Sequence, residues 1–131
     1  MIYNYITNVF KYIFFLFINI IKKKQFIIIT PGIYGILFNK ILIFDMKNKI
    51  FFNIKIRNYF DIVTTFEIFG YDTYSLKNFK INKKINEIEN NIKKKDHKSL
   101  IIDCGANIGC SSLYFNKTYN NSKIINIEPD E

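Results

Sequence analysis

Residues 100–128, LIIDCGANIGCSSLYFNKTYNNSKIINIE, decide how this chain is read. Leu100, Ile101 and Ile102 form an apolar run that ends in Asp103. Gly105-Ala106-Asn107-Ile108-Gly109 follows as a glycine-spaced turn, and a helical pattern opens behind it. Lys123 to Ile127 makes a second apolar run, closed by Glu128. Strand, tight turn, helix and a second strand with an acid at its tip are half of a nucleotide-binding α/β unit. The expected helix runs from about Ile108 to Lys117, with Leu113 and Tyr114 or Phe115 on its inner face.

The turn carries the chemistry. Asp103 stands at the carboxyl end of its strand, where open α/β sheets bind ligands. Gly105 is expected where a Cβ would clash, and Gly109 where the helix comes close to strand and ligand. The N–H groups of the first helical turn would face that ligand. Glu128, about 20 residues beyond the turn, suits two hydrogen bonds from a ribose diol. A dinucleotide fingerprint needs three glycines spaced GxGxxG, whereas this turn reads Gly-x-x-x-Gly. Asp103 would also repel a pyrophosphate, and an acid there suits a ligand carrying positive charge. S-adenosylmethionine fits, with an ammonium, a sulfonium and a ribose but no phosphate. A nicotinamide-dependent oxidoreductase, drawn from the same element order, is the alternative, weakened by the missing glycine.

Upstream, Ile81, Ile85, Ile88 and Ile92 recur at helical intervals inside the lysine-rich residues 77–99, which predicts an amphipathic helix or spacer. Asp61 opens DIVTTFEIFG as a helix N-cap, with Gly70 as its left-handed end, so a short helix is expected over Ile62 to Phe69. Lys40 to Phe44 and Ile50 to Arg57 read as strands of a hairpin turning at residues 45–49. In the second strand Phe52, Ile54 and Ile56 alternate with Asn53, Lys55 and Arg57, the mark of a half-buried strand. Thr30-Pro31-Gly32 breaks the preceding pattern. Four segments result: residues 1–30 as an apolar N-terminal helix, 31–76 as hairpin and short helix, 77–99 as spacer or amphipathic helix, and 100–131 as the strand-turn-helix-strand.

Residues 1–21 are strongly apolar and are followed by Lys22, Lys23 and Lys24. A spanning helix needs about 20 apolar residues, and this stretch reaches that length only by including Asn4, Thr7, Asn8 and Lys11. A secretory signal places its charge before the apolar core, not after it. A helix packed on the fold or lying on a membrane through residues 1–24 fits better, with a membrane anchor as the second reading.

With 131 residues, 49% of them hydrophobic, the chain is long enough for a modest core. The net charge of +8 comes mostly from lysine, with Arg57 the one arginine. Neither lysine cluster, 22–24 or 93–95, is interleaved with aromatics in a nucleic-acid pattern, so no nucleic-acid partner is expected. Cys104, Cys110 and His97 are too few for a zinc site or a disulfide scaffold. Both cysteines read as small buried residues in a reducing compartment and His97 as a solvated side chain. The location expected is cytoplasmic, with membrane contact left open.

The segment IIDCGANIGCSSLYFNKTYNNSKIINIEPDE resembles the first half of the FkbM-type S-adenosylmethionine-dependent methyltransferase domain. Asp103, Gly105, Ala106, Asn107, Gly109, Ser111, Ser112, Tyr114, Phe115, Glu128 and Pro129 match that family's pattern. Upstream, Arg57, Asp61, Phe66 and Tyr71 match its lead-in, so the likeness covers roughly residues 50–131. The resemblance implies a Rossmann-like sheet of class I methyltransferase type and O-methylation of a sugar or small-molecule hydroxyl. It implies that Asp103, Gly105, Ala106, Asn107 and Gly109 hold the methionine part of the cofactor and Glu128 the ribose. It names no catalytic base. The chain reads as the front part of such a domain, and a non-enzymatic membrane-associated fragment is the remaining alternative.

Overall fold

The computed structural model describes residues 11–129, apart from residues 15, 19–21, 23 and 31. The chain is mixed α/β and divides at Asp72 and Thr73 into two compact units. The second unit therefore holds the lysine-rich helix together with the strand-turn-helix-strand, which the sequence pattern had kept apart.

Unit 1 is built on an antiparallel sheet ordered β1-β2-β3, with β1 Phe26–Ile28, β2 Lys40–Asp45 and β3 Ile50–Lys55. The hairpin lies where alternation predicts it. Ile41, Ile43, Ile54 and Ile56 are buried, while their neighbours in sequence face out or are half-buried. Asp45 is fully buried at the turn, where its carboxylate accepts from Lys47 N–H at 3.0 Å, Asn48 N–H at 3.2 Å and the Asn48 amide at 2.6 Å. A buried carboxylate needs such donors to offset its lost hydration.

Residues 26–28 correct the expectation of one helix through residue 30. Three consecutive apolar residues fit a buried strand as well as a helix turn, and periodicity cannot separate them. Here they pair with Ile43, Phe44 and Asp45. Residues 11–14 and 16–18 are helical, and the Tyr12 hydroxyl shares its one proton between the Ile28 carbonyl, at 3.0 Å, and the Ile29 carbonyl. That contact covers part of an edge strand that would otherwise offer bare carbonyls. No helix among the described residues is long and apolar enough to cross a membrane. The readings that involve residues 1–10 lie outside the described residues.

Helix α1, Gly32–Phe38, packs on β2, and helix α2, Tyr59–Thr65, packs on α1. The cap of α2 is Asn58 rather than Asp61: the Asn58 side chain accepts from Asp61 N–H at 3.2 Å. Asp61 sits three residues inside and turns its carboxylate back to Arg57, accepting from Arg57 N–H at 2.7 Å and from the guanidinium at 3.1 Å. Asn58 thus satisfies one free donor of the first turn, as in a capping box, while Asp61 reaches back past the cap to Arg57. The helix then widens into a π-type turn, Phe66–Gly70, closed by Tyr71 N–H to the Phe66 carbonyl at 2.8 Å. Ile68, Phe69 and Gly70 are all buried, and Phe69 meets Phe26 edge-on at 5.0 Å. Gly70 is not left-handed; that conformation falls on Asp72, with φ 60°.

Unit 2 contains helix α3, Lys80–Lys94, strand β4, Ser99–Cys104, helix α4, Cys110–Thr118, and strand β5, Ser122–Ile127. α3 forms where the isoleucine spacing predicts it, yet it buries none of its residues fully. β4 and β5 pair in parallel, with Ile101 beside Ile124 and Asp103 beside Asn126. One face of this pair carries Ile101, Asp103, Ile124 and Asn126. The other carries Leu100, Ile102, Ile125 and Ile127, each about half exposed. Cys104 shares that exposed face, which corrects the expectation of a buried thiol, while Cys110 is buried in α4.

Candidate functional site

Parallel pairing brings the carboxyl ends of β4 and β5 side by side, and residues 105–109 cross between β4 and α4 at that end. The crossing is a left-handed turn. Gly105 has φ 79°, Asn107 φ 47° and Gly109 φ 79°. A Cβ on either glycine would meet nothing within 4 Å, so neither is there to avoid a clash or permit close packing. The backbone conformation itself requires them, because an L side chain in that region costs roughly 1–2 kcal/mol.

The turn is tied to β5. Gly105 N–H donates to the Ile127 carbonyl at 2.7 Å and Ala106 N–H to the same oxygen at 3.3 Å. Gly109 N–H donates to the Ala106 carbonyl at 2.7 Å. Ala106 is buried, while Asn107 is exposed at the tip. Glu128, also exposed, accepts a hydrogen bond from Asn107 N–H through Oε2. The acid that closes β5 therefore lies on the glycine turn that follows β4.

Asp103 is half-buried on the covered face of β4. Its Oδ2 accepts from Ser111 Oγ at 2.6 Å and from Ser112 Oγ. Ser112 Oγ also lies 2.6 Å from Asn126 Oδ1. A serine has one hydroxyl proton, so Asp103 and Asn126 share it. Gly109 caps α4 in the left-handed conformation, with no side-chain hydrogen bond to the first turn. Two serines early in α4 thus anchor it to the acid at the end of β4.

All six residues singled out from the sequence, Asp103, Gly105, Ala106, Asn107, Gly109 and Glu128, border one turn at the carboxyl end of the strand pair. Asn126 belongs with them, and the sequence reading passed over it. The available signal was a single polar residue inside the apolar run IINI. Arg57 and Asp61 lie in unit 1 and spend their polar groups on each other.

Unit 2 also holds an apolar cleft of about 290 Å³ between α3 and the covered face of the sheet, lined by Ile85, Ile88, Ile92, Ile101, Phe115 and Tyr119 among others. Burial, and then the charge of Glu89, raise the Tyr119 phenol above its ordinary pKa. The cleft reaches Ser99 at the start of β4, the end away from Asp103 and Glu128. No family model, curated protein or solved structure matches this chain.

Proposed function

We propose that the turn between β4 and α4 is the cofactor half of an S-adenosylmethionine-dependent methyltransferase of the FkbM type, in a Rossmann-like sheet. The observation that carries this reading is the contact of Glu128 with Asn107 N–H, which puts the acid closing β5 on the glycine turn that begins two residues after Asp103. The two carboxylates, Asp103 and Glu128, suit the ammonium and the ribose diol of the cofactor, and both disfavour a phosphate. Parallel strand pairing is a further support, since such sheets bind ligands outside their carboxyl ends. The apolar face of Leu100, Ile102, Ile125 and Ile127 also agrees, because parallel sheets carry cover on both faces. The reaction would be in-line displacement, a hydroxyl oxygen attacking the methyl carbon as the thioether leaves, with this turn fixing the cofactor for attack. The acceptor is a sugar or small-molecule hydroxyl.

Isothermal titration of the chain with S-adenosylmethionine, and with NADH as the competing ligand, tests this. The expected result is binding of the first and not the second. Glu128→Gln should weaken binding roughly tenfold or more through loss of a charge-assisted hydrogen bond. Binding of NADH in preference, or equal affinity for S-adenosylmethionine in wild type and Glu128→Gln, would defeat the assignment.

A further inference from the structure

We propose that one end of unit 1, where the tip of α1 meets the start of α2, rests on the surface of an acidic phospholipid bilayer. Ile36, Leu37 and Phe38 end α1 at 50%, 68% and 63% exposed, and Tyr59 and Phe60 open α2 at 64% and 76%. The hairpin brings these two groups together. Ile56 N–H donates to the Asn39 carbonyl at 2.9 Å, and Lys40 is the register partner of Lys55. Large apolar side chains gathered at one place on a surface mark a contact site.

Charge selects the partner. Lys40 and Lys55 are both exposed and sit directly opposite each other across an antiparallel pair, an arrangement that destabilises a sheet. A layer of anions over this end relieves the repulsion. Asp45 is the one acid among residues 32–60, and it lies at the other end of β2. Arg57 is already paired with Asp61, so the attraction rests on the two lysines and on the net charge of +8. Tyr and Phe tips flanked by lysines match the boundary between headgroups and acyl chains. This surface is separate in sequence from residues 1–24.

The chain has no tryptophan, so Phe60→Trp installs a single local reporter at an exposed position. The Phe60→Trp chain, residues 1–131, is mixed with phosphatidylcholine vesicles and with phosphatidylcholine–phosphatidylglycerol vesicles. The expected result is a blue shift of the indole emission, and quenching by brominated lipid, with the acidic vesicles. Adding Lys40→Gln and Lys55→Gln should lower the partition coefficient on the order of 30-fold at low salt, about fivefold per lysine. Leu37→Ser with Phe38→Ser should abolish the shift without changing the circular dichroism, since neither side chain is in the core. The proposal fails if the chain does not bind acidic vesicles. It fails equally if the chain binds them with the indole emission unchanged, as attachment through residues 1–24 alone would give. A blue shift that grows with protein concentration in the absence of lipid assigns the surface to a second copy and also overturns it.

Discussion

Replacing Asp103 by Asn keeps the shape of the side chain and removes its charge, which isolates what the carboxylate does for the fold. Both Ser111 and Ser112 donate to Asp103 Oδ2, and both serines are buried, at 8% and 7% exposed. A hydrogen bond to a charged acceptor contributes about 1.5–3 kcal/mol, against about 0.5–1.5 kcal/mol for a neutral one. The difference is roughly 1 to 1.5 kcal/mol per serine, or about 2–3 kcal/mol for the pair. Asp103 is only half-buried, so water competes for the carboxylate, and Ser112 divides its one proton between Asp103 and Asn126, so the lower end applies. Urea unfolding of wild type, Asp103→Asn, Ser111→Ala and the double variant, followed by far-UV circular dichroism, gives the coupling directly. A coupling near 1 kcal/mol is expected for residues in contact. If the two substitutions add to within about 0.5 kcal/mol, the serines do not depend on the charge and the anchoring of α4 to β4 is wrongly described.

Two further outcomes are expected. The Arg57 side chain, by hydrogen bonding, holds the Asp61 carboxyl below its usual range against the opposing effect of burial, and Arg57 N–H adds to the lowering. Because the folded pKa is depressed, this contribution is complete above the unfolded value near 3.8 and is lost as pH falls through the lower folded value. Melting temperatures measured between pH 6 and pH 2, both roughly spanning the carboxylate range, should therefore fall more gently for Asp61→Asn than for wild type; parallel curves would remove Asp61 from the acid response. At the turn, Gly109→Ala should cost about 1–2 kcal/mol and Gly109→Asn less, since asparagine tolerates the left-handed region that Asn107 already occupies. Equal unfolding midpoints for wild type and Gly109→Ala would show that the backbone there is free to relax.

The parts of the fold that were legible are those whose signal is local and periodic. The alternation of Phe52, Ile54 and Ile56 located β3, and the four isoleucines located α3. The parallel pair was legible from its punctuation, with an acid after each apolar run and glycines between. β1 was not, because three apolar residues carry no period and their identity as a strand depends on pairing with residues 43–45. The cap of α2 was misplaced because Asn58 and Asp61 are both good capping residues, and the choice between them depends on where Arg57 directs the carboxylate. The same limit applies at the site. The glycine spacing identified the turn, but the roles of Ser111, Ser112 and Asn126 follow from strand register, which places Asn126 beside Asp103. Gly105 and Gly109 are demanded by the sign of φ alone, since open space surrounds both, and glycine spacing in a sequence does not distinguish that cause from close packing.

The turn is already held by the chain's own groups before any ligand arrives. The Ile127 carbonyl takes two of its N–H groups, Glu128 takes a third, and the Asp103 carboxylate is engaged by two serines. A cationic adenosyl ligand would therefore exchange donors at these acids rather than fill empty acceptors, and each exchange yields only a modest net gain. Affinity would then rest on how well the turn is preorganised. The consequence separates the residues by what their loss affects. Asp103 and the left-handed glycines support the fold and, on the proposed reading, would support the ligand as well, so their variants would confound the two. Glu128 is exposed and bonds to an exposed N–H that water can satisfy in its place. Glu128→Gln should leave the unfolding midpoint within about 0.5 kcal/mol of wild type, as surface changes usually do, while removing the charge that we propose would meet the ribose. That substitution, measured for stability and for binding in the same preparation, reads the site without disturbing the frame that carries it.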